Sequence, residues 1–171
     1  MDISLPMGRL IAMFASTGKN AKLAETICQQ AIDMGHEAET LDLCALDLPM
    51  YTPETEAEIG SLPAIQSSMN MLSKGDGWIV CAPEYNGLMP PVLNNFIAWL
   101  SREGDNFRSL FRFRRIALAT VSGGGGQTCI VAMRLQFAHL GSTVLGRSII
   151  INKNRPQHAD SIDAVIEELM N

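Results

Sequence analysis

Three short stretches of this 171-residue chain collect the residue types that can do chemistry. The first is Ala15-Ser16-Thr17-Gly18-Lys19-Asn20, directly after an apolar run. At the start of a helix these types suit an anion, because unpartnered backbone N–H groups and the positive end of the helix dipole attract phosphate. Gly18 permits a tight turn, Ser16, Thr17 and Asn20 can donate to phosphate oxygens, and Lys19 adds a positive charge. The same types also cap helices that bind nothing. The stretch matches neither G-x-x-x-x-G-K-[ST] nor G-x-G-x-x-G, the two common phosphate-loop patterns. The second stretch is Pro83-Glu84-Tyr85-Asn86-Gly87. Its proline stiffens the chain, Asn86-Gly87 makes a turn that exposes N–H groups, and Tyr85 offers an aromatic edge with a hydroxyl. A bare type I′ turn accounts for Asn86-Gly87 but not for the whole string. The third is Ser122-Gly123-Gly124-Gly125-Gly126-Gln127. Four glycines lose much backbone entropy on folding, which suits either the close approach of a ligand or a hinge.

Few other residues offer chemistry. His36, His139 and His158 share no spacing, and Glu84 reads equally as a site carboxylate or a solvated loop charge. No catalytic acid or base is therefore assigned. Cys28, Cys44, Cys81 and Cys129 form no C-x-x-C pair, which argues against a metal site or redox dithiol and for reduced, mostly buried thiols in a cytoplasmic protein. A net charge of −5 disfavours nucleic acid and anionic membranes as partners. No apolar run approaches the roughly 18 residues of a membrane helix. Near the N-terminus, with Asp2 and Arg9, the apolar stretch is too short for a signal peptide.

The elements that must position the three loops are legible from periodicity. Leu10 to Ala15, Trp78 to Ala82, Ile116 to Val121 and Ser148 to Ile151 are nearly continuous hydrophobe, as suits parallel strands covered on both faces. Glu37 to Leu43 mixes charge into its run and reads as an edge strand. Helical faces recur at Leu23, Ile27, Ala31; at Ile130, Met133, Phe137, Leu140; and at Ile162, Val165, Ile166, Leu169. Strand and helix alternate through one domain spanning residues 1–171, implying right-handed crossovers and a doubly wound five-stranded parallel sheet. With the second strand at an edge the expected order is 2-1-3-4-5, and ligands then sit at the carboxyl ends of the strands, where the three loops lie. From Cys44 to about Gly60 the chain reads as one long irregular excursion, either surface loop or lid.

The string Pro83-Glu84-Tyr85-Asn86-Gly87, followed by Pro90, Val92-Leu93-Asn94-Asn95 and Trp99-Leu100-Ser101-Arg102, resembles the NADPH-dependent FMN reductase family. Leu41-Asp42-Leu43, Leu46, Leu48-Pro49 and Tyr51 are similar to that family's segment after its second strand. The resemblance implies a flavodoxin-like fold, FMN as cofactor and NADPH or NADH as electron donor. It also implies a small acceptor such as a quinone, flavin, azo compound or metal oxyanion. Pro83–Gly87 would lie along the flavin ring and ribityl chain, and Ser122–Gln127 near the pyrimidine side. Three departures stand out. Asn94 replaces a common lysine and Ala98 a common aspartate, and the phosphate loop is shorter, lacks arginine, and is closer to the turn of flavodoxins. A flavodoxin-like electron carrier and a non-catalytic module of the same fold are the rival readings. Val92, Leu93, Phe96, Ile97, Trp99 and Leu100 span roughly 160° of a helix at 100° per residue, wider than one core-facing stripe. Since family members dimerise through this region, the resemblance implies a homodimer, or a tetramer built from it.

Overall fold

Three of the strands form where apolar runs are buried on both faces, and the other two lie at the edges of the sheet, where much of each strand stays exposed or half-buried. The computed structural model describes residues 8–171; the terminal stretch around Asp2 that bears on a signal peptide lies outside them. Strands β1 (Arg9–Phe14), β2 (Glu37–Asp42), β3 (Gly77–Cys81), β4 (Arg115–Val121) and β5 (Thr143–Ile151) make one parallel sheet in the order β2-β1-β3-β4-β5. The expected flavodoxin-like order is thus the observed one. β2 is an edge strand, and its Glu39 pairs with Arg9 of β1 at 2.8 Å.

Helices α1 (Lys19–Asp33) and α7 (Ala159–Met170) cover one face of the sheet. Helices α3 (Pro63–Lys74), α4 (Pro91–Leu100), α5 (Arg108–Phe111) and α6 (Gln127–His139) cover the other. The period of two along each strand divides the core cleanly. Leu10, Ala12 and Phe14 of β1 join the α1/α7 layer, while Ile11 and Met13 join the opposite one. Burial of this kind stabilises by about 25 cal/mol per Å² of apolar surface, so the two layers provide the main support for the rim where the loops sit.

Two features differ from the sequence reading. The excursion after β2 is not irregular throughout, because helix α2 occupies Pro53–Ile59. Thr52 caps it by accepting from Thr55 N–H, Pro53 opens it, and Glu54 and Glu56 sit in its first turn, where the dipole favours negative charge. None of its residues is buried, so no apolar stripe betrays it. β5 also begins earlier than Ser148. It advances from Val144 to Ser148 while β4 advances only from Ile116 to Leu118, and Arg134 of α6 gathers the displaced carbonyls of Leu145 (2.6 Å) and Gly146 (3.3 Å). No described helix is long and apolar enough to cross a membrane.

Candidate functional site

The parallel sheet brings the ends of β1, β3 and β4 side by side, and main-chain bonds extend the ladder into each loop. Ala15 N–H donates to Cys81 O and Ala82 N–H to Ala119 O, both at 3.0 Å. Beyond these bonds the chain turns outward three times, at Ser16–Lys19, Pro83–Gly87 and Ser122–Gly126.

In the first loop, Gly18 is the N-cap of α1, and a Cβ there would meet nothing within 4 Å. No side chain caps the first turn of α1, so the residues there do not act as a plain cap. Thr17, Gly18 and Lys19 are exposed and Ser16 is half-buried. Asn20 behaves differently. It is buried, and its amide is spent on the end of β4: Nδ2 donates to Val121 O (3.1 Å) and Oδ1 accepts from Val121 N–H (2.9 Å). Asn20 therefore clamps the first loop to the third instead of presenting a free donor.

The second loop closes as a two-residue hairpin. Tyr85 N–H donates to Leu88 O (2.8 Å), and Leu88 N–H returns to Tyr85 O (3.0 Å). Asn86 and Gly87 between them adopt φ +52° and +82°, the left-handed pair that a type I′ turn demands and that Asn-Gly supplies. Tyr85 stands half in solvent, while Pro83 is buried at the strand exit.

Glu84 joins the second loop to the third. Its Oε2 accepts from Gly126 N–H (2.9 Å) and the Ser122 hydroxyl (3.2 Å). Its Oε1 accepts from the Thr128 hydroxyl and, more weakly, from Cys129 N–H (3.4 Å). The Thr128 bond first, and the Gly126 amide next, hold the carboxyl below its usual range. Glu84 is thus neither a free acid nor a solvated charge; it is a charged staple at the N-terminus of α6, where the helix dipole also favours it. Thr128, Cys129 and Asn152, whose amide reaches Gly125 O at 3.3 Å, belong to this network and escape a reading of the sequence.

Within the glycine loop, two of the four residues are bare for reasons internal to the chain. Gly126 takes φ +75°, and a Cβ there would stand 2.8 Å from Thr120 Cγ2. A Cβ on Gly124 would meet the Glu84 carboxylate at 3.1 Å. Gly123 and Gly125 need no left-handed φ; a Cβ on Gly123 would meet nothing within 4 Å, and one on Gly125 only the Gln127 N at 4.0 Å. The chain itself does not require glycine at these two positions, and a ligand passing close to the backbone would. The open first turn of α1, the Asn86-Gly87 turn and this bare segment fit a planar ring with a phosphate tail. Gln127, the first residue of α6, is exposed beside them.

The excursion after β2 packs on α4. Pro49 O accepts from Asn95 Nδ2 (3.0 Å) and Trp99 Nε1 (2.8 Å), and Tyr51 meets the Trp99 ring edge-on at 5.3 Å between centroids. This explains the width of the apolar arc on α4. Leu93, Phe96, Ile97, Trp99 and Leu100 are all buried within one chain, so the arc is not itself evidence of a second copy. Asn94 accepts from Gln136 of α6 at 2.8 Å.

The model of the NADPH-dependent FMN reductase family matches residues 9–155. The chain belongs to that family. Among curated members, the quinone reductase of Escherichia coli (strain K12) is 29% identical over 124 residues, covering 68% of this chain and 64% of that protein. The NADPH azoreductase of Bacillus sp. (strain OY1-2) is 26% identical over 137 residues, covering 79% of this chain and 70% of that one. The chain thus spans somewhat less than two thirds of the quinone reductase's length. In fold it is similar to the flavoenzyme NAD(P)H:(acceptor) oxidoreductase FerB from Paracoccus denitrificans, with TM-score 0.75, 17% identity and 96% of each chain covered. It is also similar to the apo form of the NADH:FMN oxidoreductase EMOB, with TM-score 0.72, 15% identity and coverage of 96% of this chain and 89% of that one. The family match covers all three loops, and with them the FMN reductase pattern from Pro83 to Arg102.

Proposed function

We propose that this FMN reductase family member holds FMN at the rim formed by the three loops and moves electrons from NADPH or NADH to a small acceptor. The observation that carries this reading is the convergence itself. Asn20 ties the first loop to β4, and Glu84 ties the second loop to the glycine segment, so one anion-ready helix start faces one bare backbone. Bound FMN supplies the ring that accepts hydride and passes electrons on. The chain's part is to bind and orient. Ser16, Thr17, Gly18 and Lys19 meet the phosphate at the positive end of α1. Tyr85, Asn86 and Gly87 border one edge of the ring, and Gly123, Gly124 and Gly125 let it lie against the backbone. Asn20, Pro83, Glu84 and Ser122 act through these groups by fixing where they stand. No side chain serves as catalytic acid or base.

The acceptor is a small molecule, as the names quinone reductase and azoreductase among the relatives suggest, and the compartment is the cytoplasm, where free cysteines persist. A homodimer, or a tetramer built from it, is part of this reading; because the apolar arc of α4 is buried within one chain, its contact is placed instead on α6, whose Val131 and Leu135 stand one turn apart and are 56% and 74% exposed. The test is an absorption spectrum of FMN-loaded protein before and after anaerobic NADPH or NADH. Rapid bleaching is expected. Bound flavin that neither nucleotide reduces would make the chain an electron carrier, and a preparation that ignores added FMN would make it a non-catalytic module.

A further inference from the structure

Beside the three loops lies a groove of about 470 Å³, between the first turns of α1, the ends of β4 and β5, and the segment that follows β5. Lys19, Lys22 and Lys153 contribute to its lining and are exposed, whereas Leu23 is buried and Val121 and Ile151 are half-buried. Its walls thus combine an apolar floor with three ammonium groups. No aspartate or glutamate lines it, in a chain that has 18 acidic residues against 13 basic ones. Thr26, Gln157 and Asn152 complete the lining; the Asn152 amide is already engaged, donating to Gly125 O and accepting from Asn154 N–H. The groove shares Lys19 with the phosphate loop and Ser122 and Gly123 with the glycine loop, but no residue of Pro83–Gly87 lines it. It therefore adjoins the rim without being the part that borders the flavin ring through Tyr85.

Small-molecule sites are mostly apolar with a few placed polar groups, and lysine binds phosphate as a mobile point charge. A flat apolar body carrying a phosphate matches this arrangement, and the Gln157 amide can pair with the edge of a base. We propose that the groove receives the 2′-phosphoadenosine end of NADPH, so that Lys22 and Lys153 give the protein a preference for NADPH over NADH. The phosphate loop, which has no arginine, is then relieved of that task. This inference rests on the reading of the chain as a nicotinamide-dependent flavoprotein, and its test includes an arm that does not.

Lys22→Ala, Lys153→Ala and the double variant lie outside the groups assigned to FMN. In the FMN-loaded double variant KM for NADPH is expected to rise by about tenfold, a loss of about 1.4 kcal/mol in binding, with KM for NADH, kcat and flavin content unchanged. An equal rise for both nucleotides, or none, overturns the proposal. Calorimetry on the FMN-loaded protein supplies the second arm. Adenosine 2′,5′-bisphosphate is expected to bind the wild type and not the double variant, and to bind more tightly than 5′-AMP or inorganic phosphate. Equal affinity for inorganic phosphate would reduce the groove to a general anion site and refute the claim. If neither nucleotide reduces the flavin, the proposed oxidoreductase role fails, and the calorimetry still decides the groove.

Discussion

Glu84→Gln keeps the size of the side chain, removes its charge, and so isolates what the carboxylate contributes. The carboxylate accepts from four donors, two on each oxygen: Gly126 N–H and the Ser122 hydroxyl, then the Thr128 hydroxyl and Cys129 N–H. A glutamine oxygen can serve only one of these pairs. With that oxygen on Gly126, the new NH₂ can still donate to Thr128 Oγ1, but it faces Cys129 N–H with the wrong polarity. Hydrogen bonds to a charged group contribute about 1.5–3 kcal/mol against about 1 for neutral ones, and a negative charge at a helix N-terminus adds about 0.3–1. Solvent reaches the half-buried group and trims both. The net loss is about 2 kcal/mol, which in a chain of this length lowers Tm by roughly 4–8 °C. The sign with pH follows from the lowered carboxyl. Its contribution is complete above the unfolded value of about 4.3 and is lost as pH falls through the lower folded value. Thermal melts of both proteins from neutral to acidic pH, at fixed ionic strength, read the gap directly. It should be widest at neutral pH and close below about 4.3. No gap at neutral pH, or a gap that acid leaves unchanged, would refute the reasoning.

Asn20→Ala strands Val121 N–H and C=O at the half-buried end of β4; it should cost about 2 kcal/mol, lower Tm by roughly 4–8 °C, and weaken FMN in titration. Burial pushes the Cys28 and Cys129 thiols up to about 11 and raises Cys81 further, so a thiol reagent at mildly alkaline pH should count one fast cysteine, Cys44, in native protein and four after denaturation. Leu135→Glu should leave the fold intact and shift sedimentation toward monomer, because Leu135 is 74% exposed in the single chain.

The strands were legible because burial on both faces writes itself as a continuous apolar run, and Trp78 to Cys81 is buried throughout. The convergence of the three loops at one rim followed from strand order alone. What could not be read depended on partners distant in sequence. Asn20 looks like a phosphate donor until Val121, 101 residues away, claims both ends of its amide. Glu84 looks like a solvated charge until the glycine loop, some 40 residues on, closes over it. The arc on α4 looked too wide for one chain because the segment ending at Tyr51, which docks on Asn95 and Trp99, carries no periodicity of its own. Helix α2 buries nothing, and only its Thr52-Pro53-Glu54 start signals it.

Gly123→Val tests the cupped rim most directly. A Cβ there would meet nothing within 4 Å beyond its chain neighbours, so the fold is expected to accept the substitution, and the space it enters is what FMN needs. A thermal melt of the apo variant should show an unchanged Tm, and calorimetric titration with FMN an affinity lower by about tenfold or more, equivalent to at least 1.4 kcal/mol. FMN bound by the variant as tightly as by the wild type would contradict the account.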